Sequence, residues 1–352
     1  MQFEEIINGY FPYYNSYSVY SVKSGNINKT YILNIIINNH NYKYILQQLN
    51  QSVFTDPIAV IENSTAILDY FNDNILFYLK TLSGKRYFEA SDKSIWRIYN
   101  YVPRSISFDE TDSSDIIYQT GKAYGNFFHK LQNFDVNKLK ITIPNFHNTK
   151  MRYQLLEEAV TNNPDKFNSV QREYALLKQL KNHACFLDCL IEEGKLPLRI
   201  THNDTKCNNV LFDRLTHKYI TVIDLDTIMP GYVAHDFGDG ARSICATERE
   251  DSKNFEKISF DLTKFYNYAK GFSEGIFDTL TALECSTIHL GILKITTELS
   301  MRFLTDYING NVYFKTDYQN HNLNRAINQL TLAFDILDKQ EEIREITHSL
   351  FH

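Results

Sequence analysis

The first part of the chain alternates hydrophobic and polar positions with the two-residue period of β-strands. Three runs of this kind, rich in β-branched and aromatic residues, occupy residues 17–22, 29–37 and 42–49. Polar stretches with the composition of turns separate them, at residues 23–29 and 38–41. Because short turns join strands that run in opposite directions, the pattern predicts an antiparallel ribbon of three strands.

The ribbon belongs to a small lobe of mixed α and β structure. Apolar positions at helical spacing follow it and predict a helix over residues 56–72. Further strands are expected near residues 75–79, 86–88 and 95–101. The predicted fold class is α+β, with a mostly antiparallel sheet in a first domain at residues 1–102.

The pattern changes after Val102 and Pro103, where apolar positions recur every three or four residues. Such spacing is typical of amphipathic helices packed on a common core. Residues 103–352 are therefore predicted to form a larger, mainly helical domain, with a strand-like island at residues 198–226. The helical stretches cover residues 113–134, 150–162, 168–194, 251–277, 279–308 and 323–349.

Charge and composition narrow the classes of function. The 352 residues contain 36 Lys and Arg against 42 Asp and Glu, for a formal net charge of −6, without a long run of one sign. This balance argues against a nucleic-acid or anionic-membrane surface and favours small-molecule partners. A chain of this length with few Gly and Pro residues is expected to form two closely joined domains, as a monomer or a weak homodimer.

The cysteine pattern, the N-terminal sequence and the hydropathy of the chain predict a cytoplasmic protein. The five cysteines are odd in number and lack the dense spacing of a secreted disulfide scaffold. Acidic residues stand near the N-terminus, where a signal peptide needs positive charge and an apolar segment. The longest apolar stretch, residues 288–304, is interrupted by Lys294, Glu298 and Arg302, so we predict a helix inside the protein rather than in a membrane.

The candidate chemistry concentrates in the strand-like island. The segment from His202 to Asn209 reads HNDTKCNN, and an apolar hairpin leads from it to the acidic pair Asp224 and Asp226. Kinases use a loop Asp to accept the proton of the attacking hydroxyl, and an Asn and a second Asp to hold Mg²⁺ against the phosphates. Asp204, Asn209 and Asp224 fit this spacing. The alternative for Asp204 is a turn residue or a helix N-cap.

Other charged residues lie around this motif. Lys206, two residues after Asp204, is placed to reach the γ-phosphate, and its alternative is a solvated loop lysine. His202 is expected to brace the loop through backbone hydrogen bonds rather than to transfer protons. The carboxylates of Asp236 and Asp239, in the segment HDFGD, are expected to anchor the same loop.

The first domain carries a weaker signal for a nucleotide. Gly25, Asn28 and Thr30 lie in the hairpin that a kinase folds over the phosphates, although an ordinary turn explains the same residues. Such an enzyme brings a lysine to the α- and β-phosphates from strand three, but Gln47 or the adjacent glutamine stands there. Tyr101, near the junction of the two domains, offers a ring face to a sugar or an adenine.

In these motifs the chain resembles the aminoglycoside phosphotransferase and choline kinase superfamily, and within it the N-acetylhexosamine 1-kinases. The resemblance runs through nearly the whole chain. It implies a two-lobed, protein-kinase-like fold that transfers the γ-phosphoryl group of ATP, with Mg²⁺, to the anomeric hydroxyl of N-acetylglucosamine or N-acetylgalactosamine. The matching segments are GNINKTY, YILQQLNQSVFTDP, THNDTKCNNVLFD, VIDLDTIMPG, DFGD, MRFLTDYINGNVYF and HNLNRA.

The resemblance also implies roles for individual residues. Asp204 is then the base that orients the sugar O1, and Asn209 and Asp224 are the metal ligands. The sugar lies against Arg302 and Tyr313. These residue types suit the task, because a guanidinium can donate to two sugar oxygens at once and a tyrosine offers both a ring face and a hydroxyl.

Two further residues bear on the acceptor. Asp226 is assigned to a sugar hydroxyl or to a second metal ion. Asn26 stands where the family usually has a histidine, in the loop over the acceptor, so the range of acceptors is expected to differ. The alternatives are a kinase of choline, homoserine, methylthioribose or an aminoglycoside, and a catalytically silent protein that binds a nucleotide or a sugar.

Overall fold

The computed structural model describes residues 2–22 and 27–352 of the chain. The protein divides into two units. Unit 1 consists of Met1–Ile106, Phe134–Pro144 and Ile223–Pro230, and unit 2 consists of Ser107–Asn133, Asn145–Val222 and Gly231–His352. The functional domains predicted at residues 1–102 and 103–352 stay a prediction.

Unit 1 contains an antiparallel sheet. Its five strands are β1 (Ser16–Ser21), β2 (Lys29–Ile37), β3 (His40–Gln48), β4 (Phe88–Glu89) and β5 (Ile95–Asn100). They lie in the order β1-β2-β3-β5-β4, and every neighbouring pair is antiparallel, so the predicted ribbon is confirmed. Asn38 and Asn39 join β2 to β3 with φ angles of 50° and 63°, the positive values that a tight hairpin turn requires. The strand predicted at residues 86–88 is the shorter β4.

Another strand prediction in unit 1 is wrong. Residues 75–79 form no strand, and only Tyr78 makes an isolated bridge, to Tyr99. The reason lies in the side chain of Asn100, which takes the place of ladder hydrogen bonds. Its Oδ1 accepts the backbone N–H of Phe77 at 2.8 Å, and its Nδ2 donates to the backbone carbonyl of Ile75 at 2.8 Å.

A helix that the sequence pattern did not predict covers part of the sheet. This helix, α1 (Gln2–Tyr10), has only nine residues. Ile6 and Ile7 of α1 lie with Leu33 and Trp96 in one buried cluster. Short helices are marginal in water, so burial of this apolar face is what stabilises α1.

The helix predicted at residues 56–72 is confirmed as α2 (Pro57–Phe71). The carboxylate of Asp56 accepts the backbone N–H of Ala59 at 2.9 Å and caps the first turn. Pro57 occupies the first helical position, where its missing N–H costs nothing. Asn72 ends the helix with a φ of 47°.

Unit 2 is mainly helical, as predicted, and the chain carries five further short strands. The helices are α3 (Ser114–Leu131), α4 (Thr149–Asn162), α5 (Pro164–Phe167), α6 (Gln171–Ala184), α7 (Phe186–Glu192), α8 (Val233–Cys245), α9 (Leu262–Ile276), α10 (Ala282–Thr287), α11 (Leu290–Ile308), α12 (His321–Asp338) and α13 (Gln340–Phe351). The short strands are β6 (Ser105–Ile106), β7 (Arg199–Thr201), β8 (Val210–Asp213), β9 (Tyr219–Val222) and β10 (Met229–Gly231).

The helix boundaries of unit 2 differ from the predicted ones where capping residues act. The stretch predicted at residues 251–277 becomes the helix α9 only from Leu262, because Asp261 caps it there. The Asp261 carboxylate accepts the backbone N–H groups of Thr263 and Lys264 at 2.8 and 2.9 Å. The helix α8, which contains the HDFGD segment, was not predicted.

The helices α3 and α9 pack with their backbones in direct contact. A Cβ atom at Gly121 of α3 would lie 2.1 Å from the carbonyl oxygen of Tyr268, and one at Gly271 of α9 would lie 2.0 Å from that of Tyr118. Backbone atoms cannot move aside for such a contact, so both positions require glycine. This packing fixes α9 against α3.

The long helix α11 is an internal helix, as its interrupted apolar pattern predicted. Two of its charged residues are buried and paired: the Lys294 Nζ lies 2.5 Å from an Asp188 oxygen, and Glu298 lies 3.1 Å from His147. Within residues 2–22 and 27–352, every helix is too short or too polar to cross a lipid bilayer. All five cysteines are free thiols.

Candidate active site

Two carboxylates of α8 hold the loop between β7 and β8 in shape. Asp236 accepts the backbone N–H groups of His202 and Asn203, at 2.6 and 2.8 Å, and Asp239, one turn later, accepts that of Thr205 at 2.9 Å. Asn203 has a φ of 64°, a left-handed conformation that the surrounding hydrogen bonds maintain. The predicted anchoring by Asp236 and Asp239 is therefore confirmed.

The two anchoring carboxyl groups differ in charge. Burial raises the pKa of Asp236 to about 8, even though the two N–H donors favour its charged form. Burial acts in the same direction on Asp239, but the nearby guanidinium of Arg242 and the ammonium of Lys206 hold the pKa of Asp239 below its ordinary value. The Arg242 Nη2 lies 2.9 Å from Asp239. A largely neutral Asp236 reduces the negative charge that accumulates under the loop at neutral pH.

Three predicted residues of this loop come together around Asp204. The amide nitrogen of Asn209 donates to the Asp204 Oδ2 and also to the Asp204 carbonyl, both at 2.9 Å. The Lys206 Nζ lies 2.9 Å from the other carboxylate oxygen, Oδ1. The backbone N–H of Asp204 donates to the His202 Nδ1 at 3.3 Å, which is the bracing contact predicted for that histidine. Asp204 thus has both oxygens in fixed positions and stays partly exposed to solvent.

The surroundings of Lys206 keep it charged. The carboxylate of Asp204 is the main reason that the pKa of Lys206 lies above its ordinary value, and Glu250 and Asp239 act in the same direction. The backbone carbonyl of Lys206 accepts the hydroxyl of Tyr124 at 2.8 Å. The backbone is therefore fixed, while the long side chain is half-exposed and free to change its partner.

The two acidic residues that follow β9 lie in different surroundings within unit 1. Asp224 is exposed and has a φ of 61°, and it precedes a single 3₁₀ turn, Leu225–Thr227. Asp226, inside that turn, is buried. Its carboxylate accepts the side-chain amide of Asn28 and pairs with Arg97 at 2.5 Å. The predicted residues Asn28 and Asp226 are therefore in contact.

Gln47 and Thr30, both predicted at the nucleotide, lie opposite each other on β3 and β2. The Gln47 Nε2 donates to the Thr30 Oγ1 at 3.0 Å. The Gln47 Oε1 accepts from the Nε and Nη2 of Arg97, at 2.9 and 2.5 Å. Sequence reasoning missed Arg97. The signal that pointed to it is a single charge in the middle of an otherwise apolar strand, IWRIYN.

Arg302 lies on α11 with its guanidinium over two rings, 5.2 Å from the centre of Phe146 and 5.5 Å from that of Phe314. In the described part of the chain it has no hydrogen-bond or ion-pair partner. Tyr313 is 59% exposed, and its ring packs edge-on against Phe314 at 4.8 Å. Arg302 and Tyr313 therefore contact the same aromatic side chain. The guanidinium remains free to donate hydrogen bonds to a ligand.

The segment that carries Tyr313 is fastened by one carboxylate. Asp306, near the end of α11, accepts the backbone N–H groups of Val312, Tyr313 and Phe314 at 2.9, 2.8 and 2.9 Å. It also accepts the side-chain amide of the buried Asn322 at 2.8 Å. The sequence gives no local sign of this arrangement, because Asp306 reads as one more polar residue of a helix.

A second arginine and a histidine lie in the same part of unit 2. Arg152 of α4 is close enough to Arg302 that this guanidinium, together with burial, lowers the pKa of Arg152. His147 pairs with Glu298 of α11 at 3.1 Å. Burial opposes the charged form of Glu298, but His147, Lys294 and Arg302 more than offset it and lower the pKa of Glu298 to about 2. Two guanidinium groups, those of Arg302 and Arg152, and the carboxylate of Glu298 therefore lie in this part of unit 2.

The other predicted residues lie apart from these clusters or outside the described chain. Tyr101 follows β5, and the Lys43 Nζ lies 4.0 Å from the centre of its ring. Gly25 and Asn26 fall outside the described residues.

Asn209 and Asp224 offer side-chain oxygens of the kind that Mg²⁺ prefers. In residues 2–22 and 27–352, no three His, Cys, Asp or Glu side chains are grouped as a metal cluster. Because the amide nitrogen of Asn209 is bonded to Asp204, its Oδ1 accepts from none of the described residues and is available. Asp224 offers an exposed carboxylate. One or two such oxygen ligands, completed by phosphate and water, are the usual protein contribution to Mg²⁺ binding.

Known proteins resemble this chain in sequence profile and in fold. Residues 19–257, more than half of the chain, match the sequence profile of the phosphotransferase enzyme family, APH. A microcompartment-associated aminopropanol kinase superposes with a TM-score of 0.63 and 16% identity, over 96% of this chain and 97% of that one. Spectinomycin phosphotransferase in complex with ADP and spectinomycin gives 0.60 and 10%, over 94% of each chain.

A third solved structure, choline kinase from Cryptosporidium parvum, gives a TM-score of 0.56 and 15% identity, over 96% of this chain and 94% of that one. At these identities the likeness establishes the fold, and it confirms the predicted α+β, kinase-like architecture. Since the family profile spans more than half of the chain, including the strands of unit 1 and the loop around Asp204, the chain belongs to the phosphotransferase enzyme family APH.

Proposed function

We propose that the protein is a kinase that uses ATP and Mg²⁺ to phosphorylate the anomeric hydroxyl of the N-acetylhexosamines N-acetylglucosamine and N-acetylgalactosamine. Family membership supports phosphoryl transfer. The observation that carries the proposal is the geometry of Asp204, whose two carboxylate oxygens are held by Asn209 and Lys206. The choice of an N-acetylhexosamine as the acceptor is supported by the motif resemblance and by the chemistry around Arg302.

In this proposal Asp204 accepts the proton of the attacking hydroxyl. The anomeric hydroxyl is more acidic than the other hydroxyls of a sugar, so a carboxylate of ordinary basicity suffices. The Asn209 amide holds the Asp204 Oδ2 and thereby aims the carboxylate. Positioning and charge neutralisation then supply most of the rate enhancement.

Lys206 changes partner in the proposed cycle. In the structure its ammonium lies 2.9 Å from the Asp204 Oδ1. We propose that it turns to the γ-phosphate when ATP arrives, which frees the Asp204 oxygen for the acceptor proton. A lysine suits this task because its charge is carried on a flexible stem.

The metal and nucleotide contacts complete the proposed site. The side-chain oxygens of Asn209 and Asp224 would hold Mg²⁺, which when bound neutralises charge on the β- and γ-phosphates. Along the chain, Asn209 directly precedes β8 and Asp224 follows β9. Nucleotide contacts are proposed for Gly25, Asn28, Thr30, Gln47 and Tyr101.

The proposed acceptor contacts are Arg302, Tyr313, Asn26 and Asp226. Support comes from the free guanidinium of Arg302 and from a second arginine, Arg152, whose pKa is lowered by burial and also by the Arg302 guanidinium. A cationic acceptor such as choline or an aminoglycoside would be repelled by two guanidinium groups, whereas a neutral sugar offers oxygen atoms that both can bind. This charge balance favours an N-acetylhexosamine over the amino alcohols.

The test is a panel of acceptors in a coupled assay of ADP release, with both N-acetylhexosamines, choline, homoserine, methylthioribose and an aminoglycoside. We expect release with the N-acetylhexosamines, and a phosphorus NMR signal of the sugar 1-phosphate. Release with another acceptor alone, or a 6-phosphate product, contradicts the proposal. A chain that binds ATP without any acceptor-dependent release is the silent binding protein of the alternative interpretation.

The variant Asp204→Asn tests the mechanism with the same assay. We expect kcat to fall about 10²- to 10⁴-fold, the usual contribution of a general base, while ATP still binds. The matched control is Asp317→Asn, which alters a carboxylate that is 76% exposed. An Asp204→Asn protein with the turnover of this control would remove Asp204 from the mechanism.

A further inference from the structure

Arg97 of β5 is a buried charge that the proposed mechanism does not use. Its side chain is 2% exposed and that of its partner Asp226 is 4% exposed, and the Arg97 Nη2 lies 2.5 Å from the Asp226 Oδ1. Removing two charges from water costs more than such a pair usually returns, so a buried ion pair is a poor way to stabilise a fold. The pair therefore calls for a functional reason.

The first observation is the register of the sheet. Arg97 on β5 is the direct partner of Gln47 on β3. Side chains of such partners leave the sheet on the same face. The guanidinium reaches Gln47 and donates to its Oε1 through both Nε and Nη2, at 2.9 and 2.5 Å. A positive charge thus lies one strand away from the β3 position at which kinases carry their lysine.

The second observation is the segment that carries Asp226, which the same guanidinium nitrogen, Nη2, contacts. Asp226 belongs to the 3₁₀ turn Leu225–Thr227, and Asp224 immediately precedes that turn with a left-handed backbone, φ 61° and ψ 56°. A residue with a side chain keeps this conformation only where its surroundings impose it. The turn is tied down from two sides, since Asn28 donates to Asp226 and the amide of Asn63 in α2 donates to the carbonyl of Ile228 at 3.0 Å.

We infer that Arg97 replaces the strand-three lysine as a positioning residue, because it ties β3 to the turn that carries Asp224 and so fixes that carboxylate for the metal–nucleotide complex. The inference rests on the proposed function in one respect, which is the assignment of Asp224 as a metal ligand. The fork of an arginine is needed for this role, since one guanidinium binds Gln47 and Asp226 at the same time. The Nη2 atom contacts both partners and Nε adds a second bond to Gln47, whereas a lysine side chain is shorter and has no Nε donor.

The test is calorimetric titration of the full chain with ADP, with and without Mg²⁺, for the wild type, Arg97→Lys and a control. The control is Arg199→Lys, which breaks a comparable fork: Arg199 donates to both oxygens of Glu284 at 2.6 Å, in unit 2. Substitution of a residue that orients a metal ligand usually lowers metal affinity about 10- to 100-fold. We expect Arg97→Lys to weaken ADP binding by about this factor with Mg²⁺, and by no more than about twofold without it.

The control decides whether the effect is specific. We expect Arg199→Lys to lower the melting temperature and to leave ADP binding unchanged in both conditions. If Arg97→Lys behaves in the same way, Arg97 is a structural residue and the inference is wrong. If its loss is equal with and without Mg²⁺, Arg97 does not act through the metal ligand and the inference is also wrong.

Two further points keep the experiment decisive. If Arg97→Lys does not fold, the double variant Arg97→Met with Asp226→Asn removes both charges of the pair together, and the same two criteria apply to it. The proposed function is tested separately by the wild type, because a chain that does not bind ADP more tightly with Mg²⁺ refutes the proposed metal site before any variant is made. If only the inference about Arg97 is wrong, the wild type still binds ADP more tightly with Mg²⁺, and only the variant departs from the expected result.

Discussion

Asp306 provides the sharpest link between a buried contact and the proposed acceptor site. Its carboxylate accepts four hydrogen bonds: Oδ1 from the backbone of Val312 and Tyr313, and Oδ2 from the backbone of Phe314 and the side chain of Asn322. The variant Asp306→Asn keeps the size of the side chain but replaces one oxygen by an NH₂ group. Whichever way the new amide turns, two of the four donors lose their acceptor.

The expected cost follows from these contacts. A hydrogen bond to a charged group contributes about 1.5–3 kcal/mol. Asn322 is buried, whereas the backbone donors of the loop are partly exposed and can bond to water when the loop opens. We therefore expect Asp306→Asn to favour local opening of the loop by about 2 kcal/mol, which corresponds to about a 30-fold change in an equilibrium constant.

The loop carries Tyr313, so its opening should act on the acceptor and not on the nucleotide. In the coupled ADP assay we expect the KM for N-acetylglucosamine to rise about 10- to 30-fold, close to the effect of Tyr313→Ala, and the KM for ATP to change less than twofold. The control is Asp317→Asn, an exposed carboxylate in the same region. Urea denaturation shows whether Asp306→Asn also lowers the free energy of unfolding of the whole protein.

The double variant Asp306→Asn with Tyr313→Ala tests the reasoning itself. If Asp306 acts by holding Tyr313 in place, the second substitution adds little once the first has been made, because the two residues form one unit. Fully additive effects on the acceptor KM would refute the reasoning, and so would equal rises in the KM for ATP and for the acceptor.

Three further predictions concern other parts of the protein. Lys206→Ala is expected to lower kcat about tenfold or more at saturating substrates, since it removes a cation aimed at the transferred phosphate; an unchanged rate would remove that role. Gly121→Ala places a Cβ 2.1 Å from the carbonyl oxygen of Tyr268 and is expected to cost about 1–3 kcal/mol in urea denaturation, and wild-type stability would contradict the close packing. The pKa of about 2 for Glu298 lies below its value in the unfolded chain, so the ionised Glu298 carboxylate stabilises the fold above about pH 4.5, and this contribution is lost as pH falls towards 2. Over that window we expect the wild type to lose up to about 3 kcal/mol more than Glu298→Gln, measured by urea denaturation at several pH values, and parallel curves would refute the assignment.

Local patterns predicted much of the fold. The alternation in residues 29–37 and the Asn pair after it predicted β2 and its turn, because strand period and turn chemistry depend on neighbouring residues only. The strand predicted at residues 75–79 was wrong, because the side chain of Asn100 makes hydrogen bonds to the backbone of that segment. The helix α1 was missed because nine residues carry too little periodicity, and its stability comes from packing.

In the candidate site, too, contacts between neighbouring residues could be predicted from the sequence, and contacts between distant strands could not. The grouping of Asp204, Lys206 and Asn209 could be predicted from the sequence, because they lie within six residues of one loop in a spacing that is typical of kinases, whereas their catalytic roles stay a prediction. The partnership of Gln47 with Arg97 was decided only by the tertiary structure. The two residues are 50 positions apart, and their contact depends on the register between β3 and β5, which no local pattern in the sequence specifies.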